Sequence, residues 1–351
     1  MTTTTTTTTP AASTTSPTAA SKNTTNNSLA LPRIVTLAEI EGLTTGAAFH
    51  HKLVAGLTEG FERYARGDFC APPIQTLGAP PMAPFTTDNV APAAYAGQAC
   101  IKSGYFRDAA HFVVKVAAGG HPLPNSGLMQ LYAQRTGRLQ ALLLDEGLLT
   151  ELRTAALGAL AVRLWQERSS AAVVTKIGML GTGIQARYQM AAIAHETDCR
   201  HVVVYGRTDT KVTAFCRELQ GLGWNVDAAA TPPDLLRQCE IVITTTPARE
   251  PLLSSIPDRR TRLLVCIGSD APGKSEVDAS LLKEATLRVA DHATQSRERG
   301  EFQGMTDTVV NLGDWILSDQ DRLADDAFVV VDSSGVALQD CVIAQMVYES
   351  L

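Results

Sequence analysis

Asp270 follows an apolar run, residues 263–267, and leads into the turn Ala271-Pro272-Gly273-Lys274. If that run is a strand, the carboxylate projects at the carboxyl edge of a sheet, where ligands bind, and can serve as a general acid or base. An aspartate ahead of Pro-Gly is also ordinary turn chemistry. Lys115 interrupts the apolar run 112–117, and Arg153 lies one turn into a helical pattern, residues 150–166. Each by itself reads as solvent-facing. With an anionic substrate between them, a guanidinium fork and an ammonium would hold a carboxylate.

A second group could bind phosphate. In residues 176–187 an apolar run climbs to Gly181, Thr182 and Gly183 follow, and Ala186 opens a helical pattern. Gly181 suits the tight turn, and Gly183 lets backbone N–H groups approach a pyrophosphate. Ala186 is small enough for helix and strand to pack closely. The helix start then offers unpaired N–H groups and a positive dipole end. The next β-branched run, 201–205, ends in Tyr205-Gly206-Arg207-Thr208. It lacks the acidic residue expected for NAD at the strand end, and an Arg with a hydroxyl neighbour suits a 2′-phosphate. NADP(H) is therefore favoured over NAD, unless Thr208 merely caps a helix and Arg207 faces solvent. Thr245 and Thr246 precede Pro247 at another strand end, where their hydroxyls either reach a dinucleotide or serve the turn.

Two patterns must position these residues. Residues 29–153 carry a helical stretch, 47–64, a proline-rich loop or edge, 71–92, and successive strand-like runs at 96–102, 112–117, 128–133 and 139–144. Strands without intervening helices imply an antiparallel sheet, with a hairpin at Arg135-Thr136-Gly137-Arg138. From residue 154 to about 325, strands alternate with helices, the pattern of a parallel, doubly wound, Rossmann-type sheet. A strand and a helix fill 326–351. Residues 1–28 are a Thr-rich tail beginning with eight consecutive threonines after Met1. Such a composition cannot bury enough apolar surface to offset its ordering entropy, so the tail is expected to be disordered. It also has no secretory or transit-peptide pattern.

A net charge of −6 gives no basic footprint for nucleic acid. No apolar run is long enough to span a bilayer. The seven cysteines are scattered without C-x-x-C, which suits a reducing, cytoplasmic setting. His50 and His51 are adjacent and the other histidines isolated, so no metal site is expected.

Several short segments occur together in order. Val114-Lys115-Val116 precedes a Gly-His-Pro loop ending at Asn125, then Gly127-Leu128. Leu149-Thr150 precedes Arg153-Thr154-Ala155-Ala156, and Gly181 to Ala186 follow. Gly268-Ser269-Asp270-Ala271-Pro272-Gly273-Lys274 with Glu276, and Asp332-Ser333-Ser334-Gly335 with Ala337 and Asp340, close the series. From Pro32 onward the chain resembles the ornithine cyclodeaminase/mu-crystallin family. The resemblance implies an α/β protein: a Rossmann-type doubly wound domain, plus an α+β substrate and dimerisation domain with an antiparallel sheet. The last strand and helix would return to that first domain, and the chain would form a homodimer.

The resemblance also implies roles. Lys115 and Arg153 would hold the substrate carboxylate, and Asp270 would be the catalytic acid/base, with Lys115 beside it. Gly181, Thr182, Gly183, Ile184, Gln185, Arg207, Thr208, Thr245, Thr246, Ile267, Lys274 and Ser333 would line an NAD(P) cofactor. Where the family has Pro-x-Arg, this chain has Pro73-Ile74-Gln75, so Gln75 takes the place of a third cation and donates hydrogen bonds without charge. The implied activity is a cyclodeaminase-type reaction on a small basic amino acid, ornithine- or lysine-like, releasing ammonia. The alternative is an NADPH-dependent cyclic-imine (ketimine) reductase or amino-acid dehydrogenase. A binding protein without activity fits less well, because Asp270, Lys115 and Arg153 are all present.

Overall fold

The structure, a computed structural model, describes residues 1–2, 31–78, 98–120, 123–169, 173–318 and 322–351. Residues 3–30, which include all but the first two positions of the Thr-rich tail, most of the proline-rich segment, and the His-Pro of the Gly-His-Pro loop lie outside the described residues. Pro32–Leu351 forms one compact unit containing two sheets.

The first sheet comprises β1 (Arg33–Val35), β2 (Phe69–Cys70), β3 (Gln75–Gly78), β4 (Gln98–Phe106), β5 (His111–Gly120), β6 (Leu123–Ala133) and β7 (Leu139–Leu143). Their order is β1-β7-β6-β5-β4-β2, with β3 also on β4. Consecutive strands from β4 to β7 pair antiparallel. The expected hairpin joins β6 to β7, where Gly137 takes φ +67° and the Ala133 N–H donates to the Arg138 carbonyl at 2.9 Å. One pairing departs from the all-antiparallel expectation: β1 runs parallel to β7. Helix α1 (Leu37–Leu43) follows β1, and its entry is fixed by a capping box between Thr36 and Glu39.

The second sheet holds β8 (Ile177–Leu180), β9 (His201–Tyr205), β10 (Asn225–Ala228), β11 (Ile241–Thr244), β12 (Leu263–Cys266), β13 (Leu287–Ala290), β14 (Val310–Asn311) and β15 (Val329–Asp332). All pairings are parallel, in the order β10-β9-β8-β11-β12-β15-β13-β14. Every residue of β8, β11, β12 and β15 is buried, as befits central strands of a parallel sheet. The chain runs outward from β8 through β9 to β10, then returns to β11 on the other side. The switch point therefore falls between the glycine turn after β8 and the threonines after β11.

Five helices carry the argument further. They are α2 (Gly46–Ala65), α3 (Leu148–Arg168), α4 (Ile184–Ile193), α5 (Asp209–Gly221), and a terminal helix, Ala337–Glu349. In α2 the buried residues Leu53, Val54, Leu57 and Phe61 recur at helical spacing. The terminal helix packs on α2, α3, β4 and β5. Its preceding strand does not return with it. β15 is inserted between β12 and β13, with Cys266 opposite Asp332 and Val331 opposite Val289. Its run Val329-Val330-Val331 is buried on both faces, which an exposed strand at the edge of the first sheet would not permit. No helix among the described residues is long and apolar enough to cross a membrane.

Candidate functional site

At the switch point, Thr245 donates its backbone N–H to the Leu180 carbonyl at 2.9 Å and its hydroxyl to the same oxygen at 3.2 Å. That draws the ends of β8 and β11 together over Gly181. Gly181 has φ +119°, and a Cβ there would stand 2.5 Å from the Thr245 hydroxyl oxygen. A Cβ on Gly183 would meet nothing within 4 Å, which leaves its backbone open to a ligand. Ala186 is fully buried under the first turn of α4. A cavity of about 370 Å³ opens here, lined by Gly181, Thr182, Gly183, Arg207, Thr208, Thr245 and Thr246. Lys211, one turn into α5, adds an unforeseen second cation beside Arg207. The backbone shape and the cationic end both fit a dinucleotide. Ile184 is 57% exposed and does not line this cavity.

A second cavity, of about 460 Å³, brings Arg153, Asp270, Gln185, Ile267 and Ser333 together. Ser333 reaches it through the placement of β15, since its N–H donates to the Cys266 carbonyl at 3.0 Å, next to Ile267. Asp270 stands at the rim, its side chain 57% exposed, with Lys274 Nζ 2.5 Å from its Oδ1. Lys274, expected on the cofactor, is held instead by that carboxylate.

Two expected substrate residues are not on the described lining. Gln75 is exposed, and its cross-strand partner is Ile101, so it projects to the face opposite Lys102. Lys115 is 3% exposed and its Nζ donates to Asp340 Oδ1 at 3.1 Å, so Asp340 has captured it behind the cavity wall. Burial pulls its ammonium down to about 8.

Lys102 takes the place on the cavity wall. It lines the cavity, donates to the Gly335 carbonyl at 2.7 Å, and has no ion-pair partner among the described residues. Burial, then the neighbouring Arg153 guanidinium, pushes its ammonium below the ordinary range. Arg153 Nε lies 2.9 Å from Asp340 Oδ1 and its Nη1 donates to Gln339 Oε1. Burial alone would raise the Asp340 carboxyl, yet Arg153, Lys115 and Lys102 together hold it below the usual range. Three cations thus surround one carboxylate, and two of them, Lys102 and Arg153, line the cavity, where they can meet an acidic group.

A model of the ornithine cyclodeaminase/mu-crystallin family matches residues 44–351. The chain belongs to this family. A protein of Sinorhizobium fredii named as an uncharacterized cyclodeaminase is 31% identical over 72% of this chain and 80% of its own length. The alanine dehydrogenase of Archaeoglobus fulgidus is 30% identical over 64% of this chain and 70% of its own. Among solved structures, the iminosuccinate reductase of Paracoccus denitrificans in complex with NAD⁺ superposes with a TM-score of 0.73 at 24% identity. It covers 91% of this chain and 95% of its own. Family members therefore include enzymes of differing reaction type on one α/β fold.

The cyclodeaminase-family motifs that line neither cavity serve as braces. Glu276 is fully buried and accepts from the Thr244 hydroxyl at 2.6 Å, the Thr246 N–H at 2.5 Å and the Gly268 N–H at 2.9 Å. One carboxylate therefore binds the ends of β11 and β12, which carry Thr246 and Asp270. Burial pushes it up to about 7. Asp291, after β13, accepts from the Ser334 hydroxyl at 3.0 Å and the Gly335 N–H at 2.6 Å. That fixes the turn whose Gly335, at φ +80°, lies against Lys102 and Arg153.

Glu151 was also missed by sequence reasoning. It lines the substrate-side cavity from the first turn of α3, accepts from Gln185 Nε2, and is pushed up by burial. It links that cavity to the start of α4, where the cofactor motif sits.

Proposed function

We propose that this chain is an NAD(P)-dependent enzyme of the cyclodeaminase type, acting on a small basic amino acid, ornithine- or lysine-like, and releasing ammonia. The reading is carried by one observation: Lys102, Arg153, Glu151 and Asp270 share a cavity with Gln185, Ile267 and Ser333, three residues that the family resemblance assigns to the cofactor. A nicotinamide dinucleotide bound along the turn supplies a hydride acceptor that later returns the hydride. Lys102 and Arg153 hold the substrate carboxylate and orient its Cα, with Lys115 in support through Asp340. Asp270 takes the proton from the substrate nitrogen and returns it to the departing ammonia, and Lys274 steadies it. Glu151 offers a buried acceptor to the second amino group. Arg207, Thr208 and Lys211 support NADP(H) over NAD.

The chain pairs as a homodimer in a cytoplasmic setting under this proposal; its seven cysteines are free, which suits a reducing compartment. The test is incubation with L-ornithine or L-lysine and catalytic dinucleotide. Ammonia release with no net change in nicotinamide absorbance is expected.

The second reading, an NADPH-dependent cyclic-imine reductase or amino-acid dehydrogenase, draws on the same 2′-phosphate pocket. Steady consumption of NADPH with a cyclic imine, and no ammonia from diamino acids, would select it.

A further inference from the structure

A cluster of imidazoles lies outside both cavities. His50 and His51 open α2, whereas His195 and Glu196 follow α4, up to 146 positions along the chain. The fold sets them side by side. The His50 and His195 rings stack with centroids 4.7 Å apart, and His51 stands edge-on to them at 5.5 and 5.7 Å. One ligand atom each from His50, His51 and Glu196 falls within 4.8 Å of the others. It is the one such group among the described residues.

Arg163 of α3 grips Glu196, with Nε to Oε2 at 2.7 Å and Nη2 to Oε1 at 2.9 Å, while His50 Nε2 lies 2.8 Å from Oε1. Apolar packing does not explain the grouping, because His51 and His195 are exposed. Protonated rings at these separations would repel one another. Neutral imidazole nitrogens beside an ionised carboxylate are, however, the donors that a borderline divalent ion prefers. A carboxylate held from behind by an arginine matches the way outer partners orient a ligating oxygen.

We propose that His50, His51 and Glu196 form a site for a divalent transition-metal ion, Zn²⁺ by donor chemistry, with the stacked His195 ring beside it to complete the set as the ion draws in. The ion would take the place of the His50–Glu196 hydrogen bond and tie α2 to the segment after α4. This proposal is independent of the reaction at the cavities. The test is calorimetric titration of the chelator-treated full chain with ZnCl₂, alongside thermal melting. One saturable equivalent and a raised Tm are expected for the unaltered protein, and both are lost in His51→Ala/His195→Ala. Both positions are exposed, so the double variant should keep the unaltered protein's circular dichroism. Arg163→Gln should bind about 10–100-fold more weakly. Absence of saturable binding, or binding that survives the double substitution unchanged, overturns the proposal.

Discussion

Lys102 and Lys115 are direct partners across β4 and β5, two ammonium-bearing positions on one face of the first sheet. Like charges placed directly opposite destabilise a sheet. The terminal helix relieves the conflict unevenly. Asp340 takes Lys115, and Lys102 is left with the carbonyl of Gly335. The pair therefore divides the work, one lysine structural and the other free for an acidic ligand.

Lys102→Met should accordingly weaken substrate binding by about 1.5–3 kcal/mol, about 10–100-fold in KM, the range for a hydrogen bond to a charged group. Lys102→Arg should recover part of that. Lys115→Met should show instead in urea denaturation, since it strips one partner from a buried carboxylate. Steady-state kinetics and denaturation on the same preparations separate the two roles.

Asp270→Asn preserves shape and removes the proton acceptor. Turnover should fall by at least about 100-fold, the scale of a lost acid/base, while dinucleotide binding followed by fluorescence stays unchanged. Full activity in the variant would remove Asp270 from the mechanism.

At Gly181 the backbone conformation and the Thr245 hydroxyl both exclude a side chain. Gly181→Ala should cost about 1–3 kcal/mol of stability from strain and abolish dinucleotide binding. Gly183→Ala meets no such crowding in the free protein, so it should fold normally and lose only the ligand. Calorimetric melting with and without NADPH distinguishes the two.

If Arg207 serves the 2′-phosphate as proposed, Arg207→Ala should lower affinity for NADPH and leave NADH nearly untouched. Equal losses for both dinucleotides would place Arg207 elsewhere on the ligand.

Glu276 gives a pH signature. Its ordinary value is 4.5, and burial raises it to about 7 in the folded chain. Between those values the folded state holds a proton that the unfolded state has released. Its contribution to stability is thus complete below about 4.5 and is lost as pH rises through about 7. Glu276→Gln cannot titrate, and it leaves a backbone N–H without its acceptor. The variant should be less stable at about pH 5, with the gap to the unaltered protein narrowing toward about pH 7.5 in urea titrations.

What could be read from the sequence was whatever one residue type fixes locally. Gly181, Gly183 and Ala186 declare themselves because a turn, an approach and a close packing each tolerate little else. Gly137 did the same for the hairpin. Lys102 could not be recognised alone, since a single lysine in a mixed strand looks solvent-facing. Only folding the chain back at Arg107–Ala110 sets it against Lys115, and that register depends on the whole sheet. Gln75 was misplaced for the same reason: pairing with Ile101 decides its face. Glu151 with Gln185, and His50 with Glu196, meet only once helices have packed. The parallel β1–β7 pair and the position of β15 are likewise non-local and leave no local pattern.

The insertion of β15 has a consequence for assembly. β12 and β13 cannot pair with each other; each waits for a strand that lies 63 and 39 positions further on, counted from Cys266 to Val329 and from Ala290 to Val329. A chain halted at Leu317 would leave both with bare hydrogen-bonding edges facing an empty slot in the middle of the sheet. Ribosome-bound chains of that length should be the form most in need of a chaperone, and the serine wall of the cavity should be the last part of the protein to take shape.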